Sequence, residues 1–249
     1  MDPDPGATSS VPATTHAAAA PPPQRVRVWD LPTRLFHWAL AITVVASVAS
    51  AKIGGNAMEW HVRFGLAALV LLAFRLLWGV VGGHWSRFGT FAYGPGALWR
   101  YLRGRPQPDD RFELGHSPLG SLSVWALLAV LLLQVATGLV ADDEIAFIGP
   151  LNRFVSSALA SQATSYHKQI GEWLVIGLAV LHVAAVLFYL VVKRRNLVSA
   201  MWHGDQAVPA RASAQPLPTS RDGAAQRLLA LVLFLLCLAL GGWVWSLGG

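Results

Sequence analysis

The sequence predicts an all-α integral membrane protein: four transmembrane helices forming a core, followed by a fifth, C-terminal transmembrane helix. Three observations predict it. Apolar runs of the ~20 residues needed to cross a bilayer occur over 32–52, 61–82, 119–140, 168–192 and 227–247. Charged residues make up only 13% of a chain that is 54% hydrophobic, about half the charge of an ordinary soluble domain. The basic residues also collect in alternate links. Arg25, Arg27 and Arg34 accompany the start of the first run, and Arg87, Arg100, Arg103, Arg105 and Arg111 the link between the second and third. Lys193, Arg194 and Arg195 follow the fourth run, with Arg211, Arg221 and Arg227 before the fifth, so fourteen of nineteen fall on one side of an alternating topology. Lys52, Arg63, Arg153 and Lys168 lie on the other side, beside Asp142, Asp143 and Glu144.

Residues 1–24, rich in Ala and Pro, have too little apolar content to fold and read as a disordered cytoplasmic tail in which His16 is idle. They lack the charged start and apolar centre of a signal peptide. The core occupies 25–205. Asp30 before Leu31 and Pro32 marks the first helix start, offering a side-chain oxygen to exposed amides before a proline that needs no partner. Gly54 and Gly55 turn the chain into the second helix, making an antiparallel hairpin. The link from 83 to 118 is rich in Gly, Pro and Arg, and the one from 141 to 166 is predicted to hold a short amphipathic piece around Leu151 to Leu159. Residues 206–226, with Pro209, Pro216 and Pro218, read as a polar linker, and 227–249 as the fifth helix. The positive-inside rule puts the N-terminus in the cytoplasm and, after five crossings, the C-terminus outside. The net charge of +6 is no nucleic-acid signal, because it belongs to loops at the bilayer surface. So little chain lies outside the runs that there is no room for a separate soluble catalytic domain.

Four histidines fall at matching depths. His37 lies near the start of the first run, His61 opens the second, and His167 and His182 bracket most of the fourth. Alternating directions bring His37 level with His182 and His61 level with His167. An ionisable side chain at membrane depth is costly and points to function. Two facing imidazoles can fill both axial positions of a haem iron, leaving no open position for oxygen and favouring electron transfer. His167 and His182 are fifteen residues apart, ~22 Å along a helix and about 60° apart around it, so both can face the interior. The predicted architecture is therefore a four-helix transmembrane di-haem bundle plus the fifth helix, with His37, His61, His167 and His182 as iron ligands and no catalytic residue assigned. Core histidines bonded to carbonyls, or sites for another metal, remain the alternatives. Sites of the latter kind in bundles usually add carboxylates, and none is apparent beside either pair. The single cysteine, Cys237, allows no disulfide within the chain, and no CxxCH occurs, so any haem is held noncovalently.

Arg75 lies fourteen residues after His61 and reaches the depth of His37 and His182. It has two readings: an arginine fork on a haem propionate, or a side chain snorkelling to the surface. His116 reads as a contact for a propionate or quinone, or equally as a cap. His84 and His203 read as interfacial. Trp29, Trp38, Trp60, Trp78, Trp85 and Trp173 read as an aromatic belt.

Segments VWDLPTRLFHW (28–38), WHVRFGLAALVLLAFRLLWGVVG (60–82), GHSPLGSLSVWALLAVLLLQVATGL (115–139), YHKQIGEWLVIGLAVLHVAAV (166–186) and KRRNLVSAMWHGD (193–205) resemble the bacterial cytochrome b561 family, in the branch that includes the cytochrome b subunit of nickel–iron hydrogenases. The resemblance covers about residues 26–205. It implies a bacterial inner-membrane protein with two b haems, His37 and His182 ligating the cytoplasmic one and His61 and His167 the external one. The family's pattern sets the two ligands of the fourth helix one residue closer than here, which in an ideal helix rotates one of them by about 100°. A local bulge at the helix start absorbs such a shift. The expected function is transmembrane electron transfer between a quinone pool and a redox partner, such as a c-type cytochrome or a hydrogenase-like, membrane-associated enzyme subunit. The rival readings are a superoxide- or ferric-reducing quinone-linked oxidoreductase and a non-haem transporter or assembly protein.

Overall fold

The computed structural model describes residues 25–107, 110, 112, 114–144, 147–208 and 217–248. The tail 1–24 with His16, and Arg111, Pro209, Arg211 and Pro216, lie outside the described residues. A short strand β1 (Arg25–Arg27) leads into α1 (Leu31–Ile53), α2 (Ala57–Val81), α3 (Pro95–Leu102) and α4 (Pro118–Val140). Then follow α5 (Ser157–Ser165), a π turn (Tyr166–Gly171), α6 (Glu172–Val191), α7 (Leu197–His203), β2 (Asp205–Ala207) and α8 (Ala224–Ser246). Among the described residues five helices are long and apolar enough to cross a membrane: α1, α2, α4, the continuous stretch Ser157–Val191, and α8.

The helix starts follow from local chemistry. Asp30 accepts the Thr33 amide at 2.8 Å, Ser117 that of Gly120 at 3.2 Å, Ser156 that of Leu159 at 3.3 Å and Asn196 that of Ser199 at 2.9 Å. Gly54 and Gly55, at φ 69° and 55°, make the left-handed turn between α1 and α2. The fourth span begins well before the predicted 168. Hydropathy missed its first turns because Ser157–Ser165 is a weakly apolar run of Ser, Ala, Gln and Thr, yet Ser156 caps it and nothing breaks it. Of the piece predicted around Leu151 to Leu159, only its end from Ser157 belongs to the spanning helix, and Asn152–Phe154 forms a separate 3₁₀ turn.

The α1–α2 hairpin packs on one side against α8 and, through α2, against α4; α4 in turn packs on α6. Neither α1 nor α2 packs closely on α6, which leaves a cleft between the hairpin and the fourth span, bridged by α4. At one end the cleft is tied by a salt bridge from Lys52 to Glu172, with Lys52 also 5.4 Å from the Trp173 ring. At the other end Arg34 donates to the Trp202 carbonyl at 2.7 Å, and Trp202 packs edge-on to Trp38 at 5.8 Å. The fifth helix is integral to the bundle: Ala230, Phe234 and Cys237 pack with Phe36, Val70 and Phe74.

The basic face carries a compact cap. Strand β1 pairs antiparallel with β2, Arg25 opposite Ala207 and Arg27 opposite Asp205. Gly204, at φ 91°, ends α7 and presses against the Trp29 carbonyl, where a Cβ would lie 2.6 Å away. Its own carbonyl accepts the Val28 and Trp29 amides at 2.9 and 3.0 Å. Residues 217–222 stitch across this cap. Ser220 Oγ donates to the Val28 carbonyl at 2.6 Å, while Asp222 accepts from Arg27 at 2.9 Å and from the Leu31 amide at 3.1 Å.

Candidate functional site: two histidine pairs across the bundle

The cleft brings the four histidines together in two pairs. On the basic face His37 of α1 and His182 of α6 have ring centroids 6.3 Å apart. Toward the opposite face His61 of α2 and His167 of the π turn are 5.9 Å apart. Two metal–nitrogen bonds of ~2 Å, with the half-width of each ring added, put the centroids of trans imidazoles about 6 Å apart. Both pairs therefore have the spacing that one metal centre each requires, a spacing that edge-on ring contact also gives.

The opposite-face rings are held for this by their Nδ1 atoms. His61 Nδ1 donates to the Ser47 carbonyl at 2.9 Å and lies 3.2 Å from the Ser47 hydroxyl. His167 Nδ1 donates to the Gln134 carbonyl at 2.9 Å, and Gln134 Nε2 returns a bond to the His167 carbonyl at 3.0 Å. A carbonyl only accepts, so each Nδ1 carries the proton and each Nε2 keeps its lone pair for a metal. An apolar cavity opens beside these rings, lined by Met58, His61, Gly65, Gly138, Phe147 and His167. Gly138 leaves space for the His167 ring, since a Cβ there would lie 2.9 Å from its Cε1. Gly65 has open space where its Cβ would stand. A flat macrocycle fits such a glycine-flanked slot. Among the described residues no group of three or more His, Cys, Asp or Glu side chains gathers as a metal cluster.

The π turn spans His167, and its wider hydrogen-bond register takes up one additional residue. Beyond Tyr166 the turn lies within the stretch from His167 to His182, and both rings face the cleft.

Arg75 is 4% exposed, so it does not snorkel. Its Nη1 donates to the Ser86 carbonyl at 3.1 Å, and its guanidinium lies 4.6 Å from the Phe88 ring. The Ser86 turn is anchored by Asp30, a fully buried carboxylate that does far more than cap α1. It also accepts from Trp78 Nε1 at 3.1 Å, the Gly83 amide at 3.0 Å and Ser86 Oγ at 2.9 Å. The belt reading fails for Trp29, Trp78 and Trp85, which are at most 7% exposed, because the basic-face cap covers Trp29 and Trp85 and the core between α1, α2 and α8 encloses Trp78. Trp60 and Trp173 are more than half exposed, as a belt requires. His203 is exposed at the end of α7, and His84 sits edge-on to Trp85 at 5.1 Å.

Sequence reading missed Asp30 as a hub and Ser47 and Gln134 as partners of the histidines. Gln134 had left a signal, being the one amide in an otherwise apolar or hydroxyl-bearing run. Ser47 left none, since it acts chiefly through its carbonyl.

Residues 28–204 match the model of the family described as prokaryotic cytochrome b561. The chain belongs to that family. It is similar to two proteins named as probable Ni/Fe-hydrogenase B-type cytochrome subunits. One, from Cupriavidus necator, is 25% identical over 71% of this chain and 85% of its own length. The other, from Rhizobium leguminosarum bv. viciae, is 22% identical over 78% of this chain and 94% of its own. A cytochrome b561 of this kind is a multi-pass bacterial membrane protein that transfers electrons through b-type haem.

Proposed function

We propose that this cytochrome b561 moves electrons across the membrane through two b haems, one held by His37 and His182 and the other by His61 and His167. The observation that carries the reading is the pair of ring spacings, 6.3 and 5.9 Å, on two levels of one cleft. When bound, haem supplies one-electron redox chemistry. The protein's own residues do the rest. His37 with His182, and His61 with His167, would each hold one haem iron between two imidazoles, which would leave no ligand position for oxygen. The Ser47 and Gln134 carbonyls fix the donor tautomer of His61 and His167. Arg75, buried near the first pair with donors to spare beyond the Ser86 carbonyl, neutralises a propionate.

The basic face is the cytoplasmic one by the positive-inside rule, putting the N-terminus inside and the C-terminus outside. Electrons pass between a quinone of the membrane and a redox enzyme subunit of the hydrogenase type, or a c-type cytochrome, on the outer side. The names of the two relatives support an enzyme-subunit partner.

The test is a pyridine haemochrome assay on purified protein and on His37→Ala, His61→Ala, His167→Ala and His182→Ala. Two b haems per chain, with each substitution removing about one, is the expected result. A well-folded, haem-supplied chain without haem overturns the proposal.

A further inference from the structure

The basic-face pair differs from its counterpart in its surroundings. Buried polar atoms without hydrogen-bond partners gather at this level: His37 Nδ1, Trp38 Nε1 and His116 Nδ1. His116 is the informative one. It is not the cap of α4, a role that Ser117 fills, and its ring is clamped between Trp29 at 4.7 Å and Phe91 at 4.4 Å. Its backbone is fixed as well, the His116 carbonyl accepting the Tyr93 hydroxyl at 3.0 Å. A ring held so firmly, with a buried nitrogen bonded to nothing, is positioned for a group the protein itself does not supply.

The neighbours say what that group is. His116 lies within electrostatic reach of Arg75, His182 and His37. Burial first, and then the charge of Arg75 and of the two histidines, hold the His116 ring well below the usual histidine range, so it is neutral. Arg75 uses one donor on Ser86 and stacks over Phe88, leaving other guanidinium donors. A cation from α2 and a neutral ring donor from the start of α4 thus converge on Phe91 beside His37 and His182, and among the described residues neither hydrogen-bonds a carboxylate, Asp30 acting on Arg75 through its charge alone. The complement of one buried cation and one neutral donor is a carboxylate.

We propose that His116 is a binding residue for the basic-face haem, donating through Nδ1 to the propionate that Arg75 neutralises. The inference rests on the di-haem reading above. It makes His116 the third histidine of the basic-face haem site, one that touches the edge of the macrocycle rather than its iron.

The experiment compares wild type, His116→Phe and His116→Gln, each loaded with haem carrying ¹³C-labelled propionates. Phe keeps the ring contacts with Trp29 and Phe91 without a donor; Gln restores an N–H. All three are expected to bind both haems. In His116→Phe the labelled carboxylate bands of the reduced-minus-oxidised infrared spectrum shift, and the midpoint potential of the haem that His37→Ala removes falls. His116→Gln returns both toward wild type. Unmoved carboxylate bands in a two-haem His116→Phe protein overturn the proposal. So does loss of quinol oxidation with the bands unmoved, which would assign His116 to a quinone. Absence of haem from the wild-type chain is a different result and overturns the di-haem reading itself.

Discussion

At the scale of single residues, the site depends on side chains whose neighbours leave them one conformation. Gly138 is an example: replacing it with Leu sets carbon where the His167 imidazole lies, and the expected outcome is loss of about one haem by pyridine haemochrome with the chain still folded. Asp30 is another. Its carboxylate collects donors from Thr33, Trp78, Gly83 and Ser86, so Asp30→Ala leaves three of them buried without an acceptor, Ser86 keeping the Thr33 hydroxyl. A loss of about 3–5 kcal/mol is expected, read as an early thermal transition of the detergent-solubilised protein. The four histidines were legible in the sequence because imidazole is rare and conspicuous among Leu, Val and Ala. Asp30 was legible only as a cap, because its further partners arrive from α2 and the turn beyond it, more than forty residues along the chain. Ser47 acts through a backbone carbonyl, which every residue possesses and no sequence pattern marks.

At the scale of elements, the π turn at Tyr166–Gly171 decides whether the fourth span can serve both levels. A bulge of this kind is one surplus residue held in a widened turn. Deleting Gln169 should let the turn close into ordinary α-helix while His167 and His182 keep their directions, and the haem content should stay at two. Inserting an alanine beside Gln169 should instead swing His167 away by about 100° and abolish one haem, read from the α band of the reduced protein. The ends of α1, α2, α4 and α8 were readable to within a few residues, since apolar length, capping residues and glycines all agree there. The early start at Ser157 was not, because small polar residues carry helix without carrying hydropathy. The β1–β2 pair was equally silent: three residues on each side, brought together only once α7 has turned at Gly204.

At the scale of the whole molecule, polar stitching on the basic face locks the fifth helix to the bundle. Burial raises the Asp222 carboxyl, but the hydrogen bonds from Arg227 and the Leu31 amide and the charges of Arg227 and Arg27 outweigh it and hold the group below the usual carboxylate range. A carboxyl depressed in the folded state contributes stability that is present above the unfolded value and is lost as pH falls through the folded one. Docking of α8 should therefore weaken only in acid, below the ordinary carboxylate range, and Asp222→Asn should remove that dependence. Protease access to the 217–222 segment as a function of pH measures both. Both histidine pairs also share the fourth span, with α1 and α2 each contributing to one alone. During synthesis the first hairpin holds only half of each pair, His61 lacking its partner until the chain has been made beyond His167 and His37 until it has been made beyond His182. Under the proposed ligation, a ribosome stalled before His167 leaves a membrane-inserted chain unable to hold either cofactor in its finished form, so pigmentation reports arrival of the fourth span.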